Sequence, residues 1–342
     1  MIQFLDEKKL DGFLVSKPAN VFYLSGFSGE GSLLITPGNS YLITDFRYRE
    51  EAWEEARGFR AVLLGKSAPV ETAARIIFRL RLKRIGFESC WLSYREYRRL
   101  KAELKGEKLI STERTLEAMR MIKEPSEVRL IFQSCQIACR AMDYARRIIR
   151  PGIREREAAA KVENFIRSCE NSEVAFGPIV AAGSNASRPH ARPGNRKIGR
   201  NDLVIVDLGV RFRGYSSDLT RTLMLGKISS KKKKLLASVR EAQQRALAEI
   251  RPGKEISYID SLARNHLKSR GLGKEFGHGL GHGVGLEVHE EPSISAKNHG
   301  RLLPGMVVTI EPGVYLSGWG GVRWEDTVVI TRQGYRILTQ GA

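Results

Sequence analysis

The sequence predicts an α+β domain that is preceded by a smaller α/β domain. Short strand-like and helix-like segments alternate up to about residue 112, which is typical of a small α/β unit. After residue 175 strand-like runs dominate, and glycine clusters between Gly271 and Gly321. Because a domain usually takes roughly 100–200 residues, a chain of 342 residues accommodates two, and we place them at residues 1–115 and 122–342.

The elements of the first domain are predicted from apolar spacing and turn residues. A hairpin is indicated most clearly, because Pro37-Gly38-Asn39-Ser40 separates two apolar runs. The strand candidates are Gly12–Ser16, Ser32–Thr36, Tyr41–Thr44, Arg60–Leu64 and Arg84–Phe87, and the helix candidates are Arg47–Arg57 and Tyr94–Leu104.

The second domain opens with helices and continues with strands. Pro125 can occupy the first turn of a helix that ends at Pro151-Gly152. Apolar residues at helical spacing predict the helices Leu116–Lys123, Ser126–Arg150, Arg154–Ser168, Lys231–Ile250 and Ser257–Ser269. Apolar runs predict the strands Ile179–Ala182, Leu203–Leu208, Thr220–Leu225, Val307–Ile310 and Thr327–Thr331.

The charge of the chain raises the question of a nucleic-acid partner. Lys and Arg number 57 against 38 Asp and Glu, which gives a formal net charge of +19 and a pI of about 9.9. Such a balance invites a nucleic-acid hypothesis. The basic residues, however, fall in five separate segments without a regular aromatic series on which bases could stack. We therefore expect solvated surfaces, and nucleic acid is not the favoured partner.

The N-terminus and the cysteines favour a cytoplasmic protein. The first residues mix charges and lack the apolar core of a signal peptide, and no segment approaches the ~20 apolar residues of a membrane span. The four cysteines, Cys90, Cys135, Cys139 and Cys169, form neither a disulfide pattern nor a C-x-x-C pair. We expect them to be buried free thiols.

Two aspartates lie at or near the ends of strand-like runs. Asp207 closes an apolar run, and Asp218 follows 11 residues later. This separation suits two adjacent antiparallel strands joined by a turn through residues 211–214, with the two carboxylates facing each other. Two like charges at such a short distance repel each other, and a cation is therefore expected between them. The alternative is that Asp207 is solvated and that Asp218 pairs with Arg221.

Three histidines occur within a glycine-rich segment, residues 276–290. His278, His282 and His289 are interspersed with five glycines, whose conformational freedom allows imidazoles to be presented in a cleft. The glycine pattern lacks the Lys and Ser/Thr of a phosphate-binding loop. Pro292 and the absence of a second histidine exclude a zincin helix. A site is therefore favoured over three structural histidines.

Two glutamates complete the set of candidate donors. Glu311 ends an apolar run before Pro-Gly, and Glu325 is expected within a strand, although either alone could be a solvated glutamate. With Asp207, Asp218 and His282 they form a set of mainly oxygen donors. Such a set suits two divalent cations of the Mn²⁺, Fe²⁺, Co²⁺ and Zn²⁺ range. Two ions ~3.5–4 Å apart can share a bridging hydroxide, which points to hydrolysis.

The order and context of these donors resemble those of the pita-bread metallopeptidases, the family of methionine aminopeptidase, aminopeptidase P and prolidase. Residues 20–27 and 44–48 also resemble the creatinase/prolidase-type N-terminal domain, and residues 119–123 resemble the lead-in to the catalytic domain. The resemblance implies a pita-bread (creatinase/aminopeptidase) α+β catalytic domain behind a creatinase/prolidase-type α/β domain. Methionine aminopeptidases usually lack that N-terminal domain, so the resemblance favours the proline-specific branch.

The resemblance implies a role for each of the five donors. Asp207 would bind one metal ion, and His282 and Glu311 would bind the other. Asp218 and Glu325 would bridge the pair. Glu311 would also act as the general base. Mn²⁺ or Co²⁺ is the expected metal, with Zn²⁺ and Fe²⁺ as further options.

Four residues outside the ligand set also receive roles from the resemblance. His278 and His289 would contact the substrate and steady the scissile carbonyl and its oxyanion. His190, in Arg188-Pro-His-Ala-Arg-Pro193, would line the pocket for proline. Arg323 would pair with an acidic ligand of the metal.

The activity implied by the resemblance is hydrolysis of the Xaa-Pro bond at the N-terminus of dipeptides or short peptides, by a cytoplasmic homodimer. Some prolidases carry arginine directly after His-Glu-x-Pro, where it can hold the carboxylate of a dipeptide, whereas this chain has Ser293. Xaa-Pro dipeptidase and aminopeptidase P activities therefore both stay open. The alternative is an inactive pita-bread module that binds nucleic acid or protein through its basic surface. The intact ligand set counts against that module and against a metal-free amidinohydrolase.

Overall fold

The computed structural model describes residues 1–65 and 67–342. These residues form two compact units, Met1–Arg120 and Met121–Ala342. The first unit contains one six-stranded sheet, and the second contains several smaller sheets. Within the described ranges, no helix combines the length and the apolar character that a membrane span needs.

A mixed sheet forms the centre of the first unit. Its strands are β1 (Gly12–Val15), β2 (Gly31–Ile35), β3 (Ser40–Thr44), β4 (Arg60–Leu63), β5 (Arg84–Glu88) and β6 (Lys108–Thr112). They lie in the order β4-β3-β2-β1-β5-β6, and the pairs β1–β2 and β2–β3 are antiparallel while the others are parallel. The helices are α1 (Ile2–Lys8), α2 (Pro18–Ser25), α3 (Arg49–Glu55), α4 (Pro69–Arg79), α5 (Tyr94–Glu103) and α6 (Thr115–Met121).

Successive residues of β1 pack on opposite faces of this sheet. Phe13 and Val15 belong to an apolar cluster that also contains residues of α1, α2, α3 and α6, whereas Leu14 belongs to a second cluster with residues of α4 and α5. Because strand side chains alternate between faces, the sheet is covered by helices on both sides. The predicted α/β architecture of this part of the chain is confirmed.

Four elements of the first unit were not predicted from the sequence. They are α1, α2, α4 and β6. β6 pairs only with β5 and has no buried residue. An edge strand of this kind lacks the alternation of buried and exposed side chains by which strands are recognised in a sequence.

The second unit combines two pairs of helices with short antiparallel strands. Its helices are α7 (Pro125–Ile148), α8 (Glu155–Arg167), α9 (Ser230–Ala248) and α10 (Ile256–Ser269). The first strands are β7 (Ser172–Val174), β8 (Ile179–Ala182), β9 (Leu203–Leu208), β10 (Val210–Phe212), β11 (Tyr215–Ser216) and β12 (Leu219–Met224). The later strands are β13 (Gly281–Gly283), β14 (Glu290–Ile294), β15 (Val307–Ile310), β16 (Gly313–Leu316), β17 (Gly320–Arg323), β18 (Asp326–Ile330) and β19 (Tyr335–Ile337).

Each helix pair packs against its own group of strands. α7 and α8 share an apolar cluster with β8, β9 and β12, which form the sheet β12-β9-β8. α9 and α10 share a second cluster with the sheet β14-β13-β15-β18-β19 and with the hairpin β16–β17. The predicted α+β arrangement is confirmed, and each predicted helix and strand occurs within two residues of its expected ends.

Two details of the sequence prediction are wrong. Glu325 was expected within a strand, but it lies in the connection between β17 and β18, where its side chain is free of a strand's alternating register. The four cysteines were expected to be buried, but Cys90 is exposed, because it follows the end of β5 in a turn, and Cys169 is only partly buried. Cys135 and Cys139 are buried free thiols, as predicted.

A buried carboxylate anchors the segment that follows β8. Glu155, at the start of α8, is fully buried and accepts hydrogen bonds from the amide of Ala182 (2.8 Å), from Asn185 Nδ2 (2.8 Å) and from the amide of Gly194 (3.1 Å). The segment between Ala182 and Gly194 carries His190. Glu155 therefore restrains both ends of the loop on which this histidine lies.

We predict that Glu155→Gln lowers the free energy of unfolding by about 2 kcal/mol. A Gln amide nitrogen cannot accept the hydrogen bonds that the carboxylate accepts, and buried donors are left unsatisfied. Urea denaturation followed by circular dichroism measures the change. Glu157→Gln, an exposed position of the same helix, is the matched control and should stay within about 0.5 kcal/mol. Equal stability of both variants would contradict the prediction.

Candidate metal centre

The strands β9 and β12 bring the two predicted aspartates together. Asp207 lies opposite Thr220 in the antiparallel ladder, and Asp218 directly precedes β12. The hairpin β10–β11 connects the two strands. Arg213 and Gly214 at its tip have φ angles of 49° and 86°, the positive values that a tight hairpin turn requires. The predicted antiparallel pairing with an intervening turn is therefore observed.

The other three donors come from the sheet that packs against α9 and α10. His282 is the central residue of β13, Glu311 follows β15, and Glu325 precedes β18. The amide of His282 donates to Thr309 Oγ1 at 3.1 Å. A Cβ atom at Gly281 would clash with the carbonyl oxygen of Thr309, so glycine is needed for β13 to approach β15 this closely.

All five predicted ligands converge on one cleft. Their donor atoms form groups in which every atom lies within 4.8 Å of the others: Asp207 with Asp218 and Glu325, His282 with Glu311 and Glu325, and Asp218 with His282 and His289. Glu325 belongs to the first two groups, and Asp218 belongs to the first and the third. The arrangement is therefore one continuous cluster of donors rather than isolated carboxylates.

The carboxylates of this cluster are buried next to one another. Asp218 is 5% exposed and Glu325 is 1% exposed. Burial, and then the neighbouring carboxylates, raise the pKa of Asp218 and of Glu325 well above the usual range. Burial also raises the pKa of Asp207, although the charge of Arg323 opposes this shift. A cation among these groups would remove the cost of ionising them.

His282 and Glu311 form a hydrogen-bonded pair within the cluster. His282 Nε2 lies 3.1 Å from Glu311 Oε1 and 3.7 Å from Asp218 Oδ2. Burial alone would lower the pKa of His282, but the hydrogen bond to Glu311 outweighs it and raises this pKa to about 9. Burial would likewise raise the pKa of Glu311, but His282 lowers it to about 2. His282 Nδ1 contacts the carbonyl oxygen of Gly283 at 3.1 Å, and this bond directs Nε2 towards the carboxylates as a ligand atom.

Unpartnered oxygen atoms show that this donor set fits metal ions. Asp207 Oδ1, Asp218 Oδ1 and Glu325 Oε1 are buried, and none of them has a hydrogen-bond partner among the described residues. Buried polar atoms are normally satisfied, because an unpaired one costs about 1–3 kcal/mol. Three such oxygens pointing to one cluster, with an imidazole beside them, are what a divalent cation of the Mn²⁺ to Zn²⁺ range binds.

Arg323 orients the carboxylate of Asp207, one of the predicted ligands. Its guanidinium is buried and donates to Asp207 Oδ2, to Thr220 Oγ1 at 3.1 Å and to Tyr315 Oη at 2.7 Å. Tyr315 Oη lies 3.3 Å from His278 Nε2. Arg323 therefore pairs with an acidic ligand, and its contacts extend through Tyr315 to one of the predicted substrate-contacting histidines.

A second buried arginine holds the backbone of Glu325. Arg221 donates to the carbonyl oxygen of Glu325 and forms an ion pair with Asp326 Oδ1 at 2.7 Å. Gln243 and Thr339 also donate to Asp326. The alternative in which Arg221 pairs with Asp218 is wrong, because Asp326 takes the guanidinium instead.

The remaining predicted histidines line the same cleft, whose volume is about 650 Å³. The ring of His289 packs against that of His282 with centroids 4.3 Å apart. His278 lies between Phe276 and Tyr315, and its burial lowers its pKa. His190 is exposed on the wall of the cleft. The structure thus brings together every residue that the sequence analysis assigned to the site.

Some cleft residues escaped the sequence analysis. Tyr315 is the most important, since it connects Arg323 with His278. Tyr315 lies two residues after Gly313, which pairs with Arg323 in the hairpin β16–β17, and the sequence analysis did not predict this hairpin. Residues two apart in a strand share a face. Lys274 and Glu275 also line the cleft, but they lie in a turn without a periodic pattern.

Both parts of the chain match known protein families. Residues 129–332 match metallopeptidase family M24, and residues 1–122 match the creatinase/prolidase N-terminal domain. The chain belongs to metallopeptidase family M24. The resemblance inferred from the ligand series is therefore confirmed, and so are the pita-bread fold and the type of N-terminal domain.

Similar proteins match nearly the whole chain. An Xaa-Pro dipeptidase of Pyrococcus horikoshii is 37% identical over 99% of this chain and 95% of its own. The structure of an Xaa-Pro dipeptidase from Bacillus anthracis has a TM-score of 0.95 and 35% identity, covering 100% of this chain and 96% of that one. The structure of an X-Pro aminopeptidase from Thermotoga maritima has a TM-score of 0.91 and 35% identity, covering 98% of this chain and 96% of that one.

We predict that Asp218→Asn stabilises the metal-free protein by about 1–2 kcal/mol. The substitution removes a buried carboxyl group whose ionisation is opposed by burial and by the neighbouring carboxylates, and groups kept for function commonly cost stability in this way. Urea denaturation at neutral pH in the presence of a chelator measures the effect. Asp143→Asn, at an exposed position of α7, should change the stability by no more than about 0.5 kcal/mol. A destabilised Asp218→Asn protein would show that the carboxylates do not repel one another.

Proposed function

We propose that this protein is a dinuclear metallo-exopeptidase that hydrolyses the Xaa-Pro bond at the N-terminus of dipeptides or short peptides. The observation that carries the proposal is the convergence of four carboxylates and one imidazole in a cleft of an M24 chain. The names of its relatives from Pyrococcus horikoshii, Bacillus anthracis and Thermotoga maritima support the choice of substrate. The complete donor set speaks against an inactive binding module.

In this proposal residues 1–115 form the N-terminal domain and residues 122–342 form the catalytic domain. Asp207 would hold one metal ion, His282 and Glu311 would hold the other, and Asp218 and Glu325 would contribute ligands to both. Glu325 shares one donor group with Asp207 and another with His282 and Glu311, and Asp218 shares one with Asp207 and another with His282, which supports this assignment. Mainly oxygen donors favour Mn²⁺ or Co²⁺, with Zn²⁺ and Fe²⁺ as further options.

The chain's own residues would bind the substrate and move its protons. Divalent ions, when bound, lower the pKa of water and polarise the scissile carbonyl. Glu311 takes a proton from the attacking water and passes it to the leaving nitrogen, a role that its position beside His282 supports. His278 and His289 contact the substrate from the wall of the cleft, and Arg323 keeps Asp207 oriented.

The geometry of an Xaa-Pro bond explains why a specialised cleft is needed. The nitrogen of this tertiary amide carries no hydrogen, so that a site cannot bind it as a donor. His190 and Ile179 lie on the cleft wall, where they offer a partly apolar surface to a pyrrolidine ring. We assign the proline pocket to this wall.

Two further features of the proposal rest on the resemblance. The protein would act in the cytoplasm, and it would be a homodimer. Size-exclusion chromatography with light scattering measures the mass in solution, for which a dimer of the 38.4 kDa chain is expected.

A peptide panel tests the proposed function. The protein stripped with a chelator should be inactive, and added Mn²⁺ or Co²⁺ should restore cleavage of Ala-Pro or Ala-Pro-Ala, with Zn²⁺ assayed beside them. Ala-Ala and Ala-Ala-Ala, which lack proline, are the matched controls. The ratio of kcat/KM for Ala-Pro to kcat/KM for Ala-Pro-Ala distinguishes a dipeptidase from an aminopeptidase. Failure to cleave either one with any of these ions would overturn the proposal.

We predict that Glu311→Gln lowers kcat for Ala-Pro or Ala-Pro-Ala by about 10²–10⁴-fold, the usual contribution of a general base. The amide keeps the size of the side chain but cannot take up a proton. Steady-state kinetics with saturating Mn²⁺ measures the change. Glu173→Gln, at an exposed position on β7, should retain the wild-type kcat. A decrease of less than tenfold in Glu311→Gln would exclude Glu311 as the base.

A further inference from the structure

One carboxylate of the cleft takes no part in the metal cluster. Glu275 lines the same cleft as the five ligands, and its Oε2 atom is buried without a hydrogen-bond partner among the described residues. The other unpartnered carboxylate oxygens of this cleft belong to Asp207, Asp218 and Glu325. Glu275 does not occur in any of the three donor groups that could hold a metal ion. The unpartnered oxygen of Glu275 therefore needs an explanation other than metal binding.

The backbone around Glu275 is held in place by its neighbours. The carbonyl oxygen of Glu275 accepts a hydrogen bond from the amide of Tyr315 at 3.1 Å. The next residue, Phe276, is buried in the apolar cluster with α9 and α10. Glu275 is thus held by a fixed turn at the wall of the cleft, and the burial of its Oε2 atom distinguishes it from a freely moving surface group.

No cation among the described residues forms an ion pair with this carboxylate. Among residues 1–65 and 67–342, no Lys, Arg or His forms an ion pair with Glu275. Lys274 also lines the cleft, but it forms no ion pair with Glu275 or with any other described side chain. A half-buried carboxylate without a positive partner is an acceptor for a cationic ligand.

We propose that Glu275 selects substrates whose first residue is arginine or lysine, by accepting hydrogen bonds from the guanidinium or the ammonium group of that side chain. This inference rests on the proposed function, because it names a substrate class for the same cleft. Arginine can engage a carboxylate through two parallel hydrogen bonds, and lysine reaches it through its four-carbon stem.

The α-ammonium group of the substrate is a poorer partner for Glu275. That nitrogen and the scissile carbonyl carbon are bonded to the same Cα atom, so both must lie beside the metal ligands. Glu275 is outside the groups of donor atoms that lie within 4.8 Å of one another. A long side chain on the first residue can extend from the cluster to the wall where Glu275 lies.

Matched peptide pairs test this selection in the Mn²⁺-loaded enzyme. Arg-Pro is compared with citrulline-Pro, which has the same shape without the charge, and Lys-Pro is compared with norleucine-Pro. We expect kcat/KM to be about tenfold higher for the charged peptide of each pair than for its uncharged partner. This effect lies between that of an exposed ion pair and that of a buried hydrogen bond to a charged group. In Glu275→Gln the ratios should fall to about twofold or less.

A control variant distinguishes the effect of the Glu275 carboxylate from the effect of the overall charge of the cleft. Lys274→Gln removes the adjacent positive charge and should keep or increase the preference for Arg-Pro. Free arginine should inhibit wild-type hydrolysis of Ala-Pro more strongly than free citrulline, and this difference should vanish in Glu275→Gln. Thermal unfolding of both variants checks that they are folded.

The outcomes distinguish this inference from the proposed function. Cleavage of Ala-Pro without a preference for the charged members would overturn the role of Glu275 and leave the peptidase activity standing. An equal loss of kcat/KM for all four peptides in Glu275→Gln would assign this carboxylate to the α-ammonium group and also contradict the inference. Absence of cleavage for every peptide would contradict the proposed function itself.

Discussion

Repulsion among four carboxylates that share one cleft is the constraint on which the structure of the second unit depends. Unit charges 4 Å apart interact with about 4 kcal/mol at an effective dielectric constant of 20. Asp218 and Glu325 are almost completely buried within this cluster. The chain must therefore hold these groups together by contacts elsewhere, and cations remove the repulsion when they bind. A protein without a use for metal ions would gain stability by giving up these residues.

Side chains outside the predicted ligand set hold the ligands in position. Arg323 orients Asp207, and Arg221 holds the carbonyl of Glu325 while pairing with Asp326. Thr309 positions the backbone of His282. These contacts use the backbone or a single oxygen atom of each ligand, so that the other oxygens stay free towards the cleft. The result is a preorganised donor set, in which metal ions replace repulsion with attraction and need little rearrangement of the protein.

Much of this site was predictable because its signals are local. Asp207 and Glu311 end apolar runs, and the separation of Asp207 from Asp218 fits a hairpin between paired strands. The position of Glu325 outside a strand was not predictable, because the tight connection between β17 and β18 has no turn signature. Tyr315 and Glu275 depend on contacts between distant segments, which periodicity does not reveal. The net charge of +19 pointed towards nucleic acid, whereas the cleft itself is acidic.

The central claim is that the clustered carboxylates exist to bind metal ions. Isothermal titration calorimetry of Mn²⁺ into the chelator-stripped protein tests it most directly. We expect saturable binding of two ions per chain, with stoichiometry reduced in a variant that lacks Glu325, a residue that belongs to two donor groups. Binding of no ion in the millimolar range, or the same binding after Glu325→Ala, would contradict the claim.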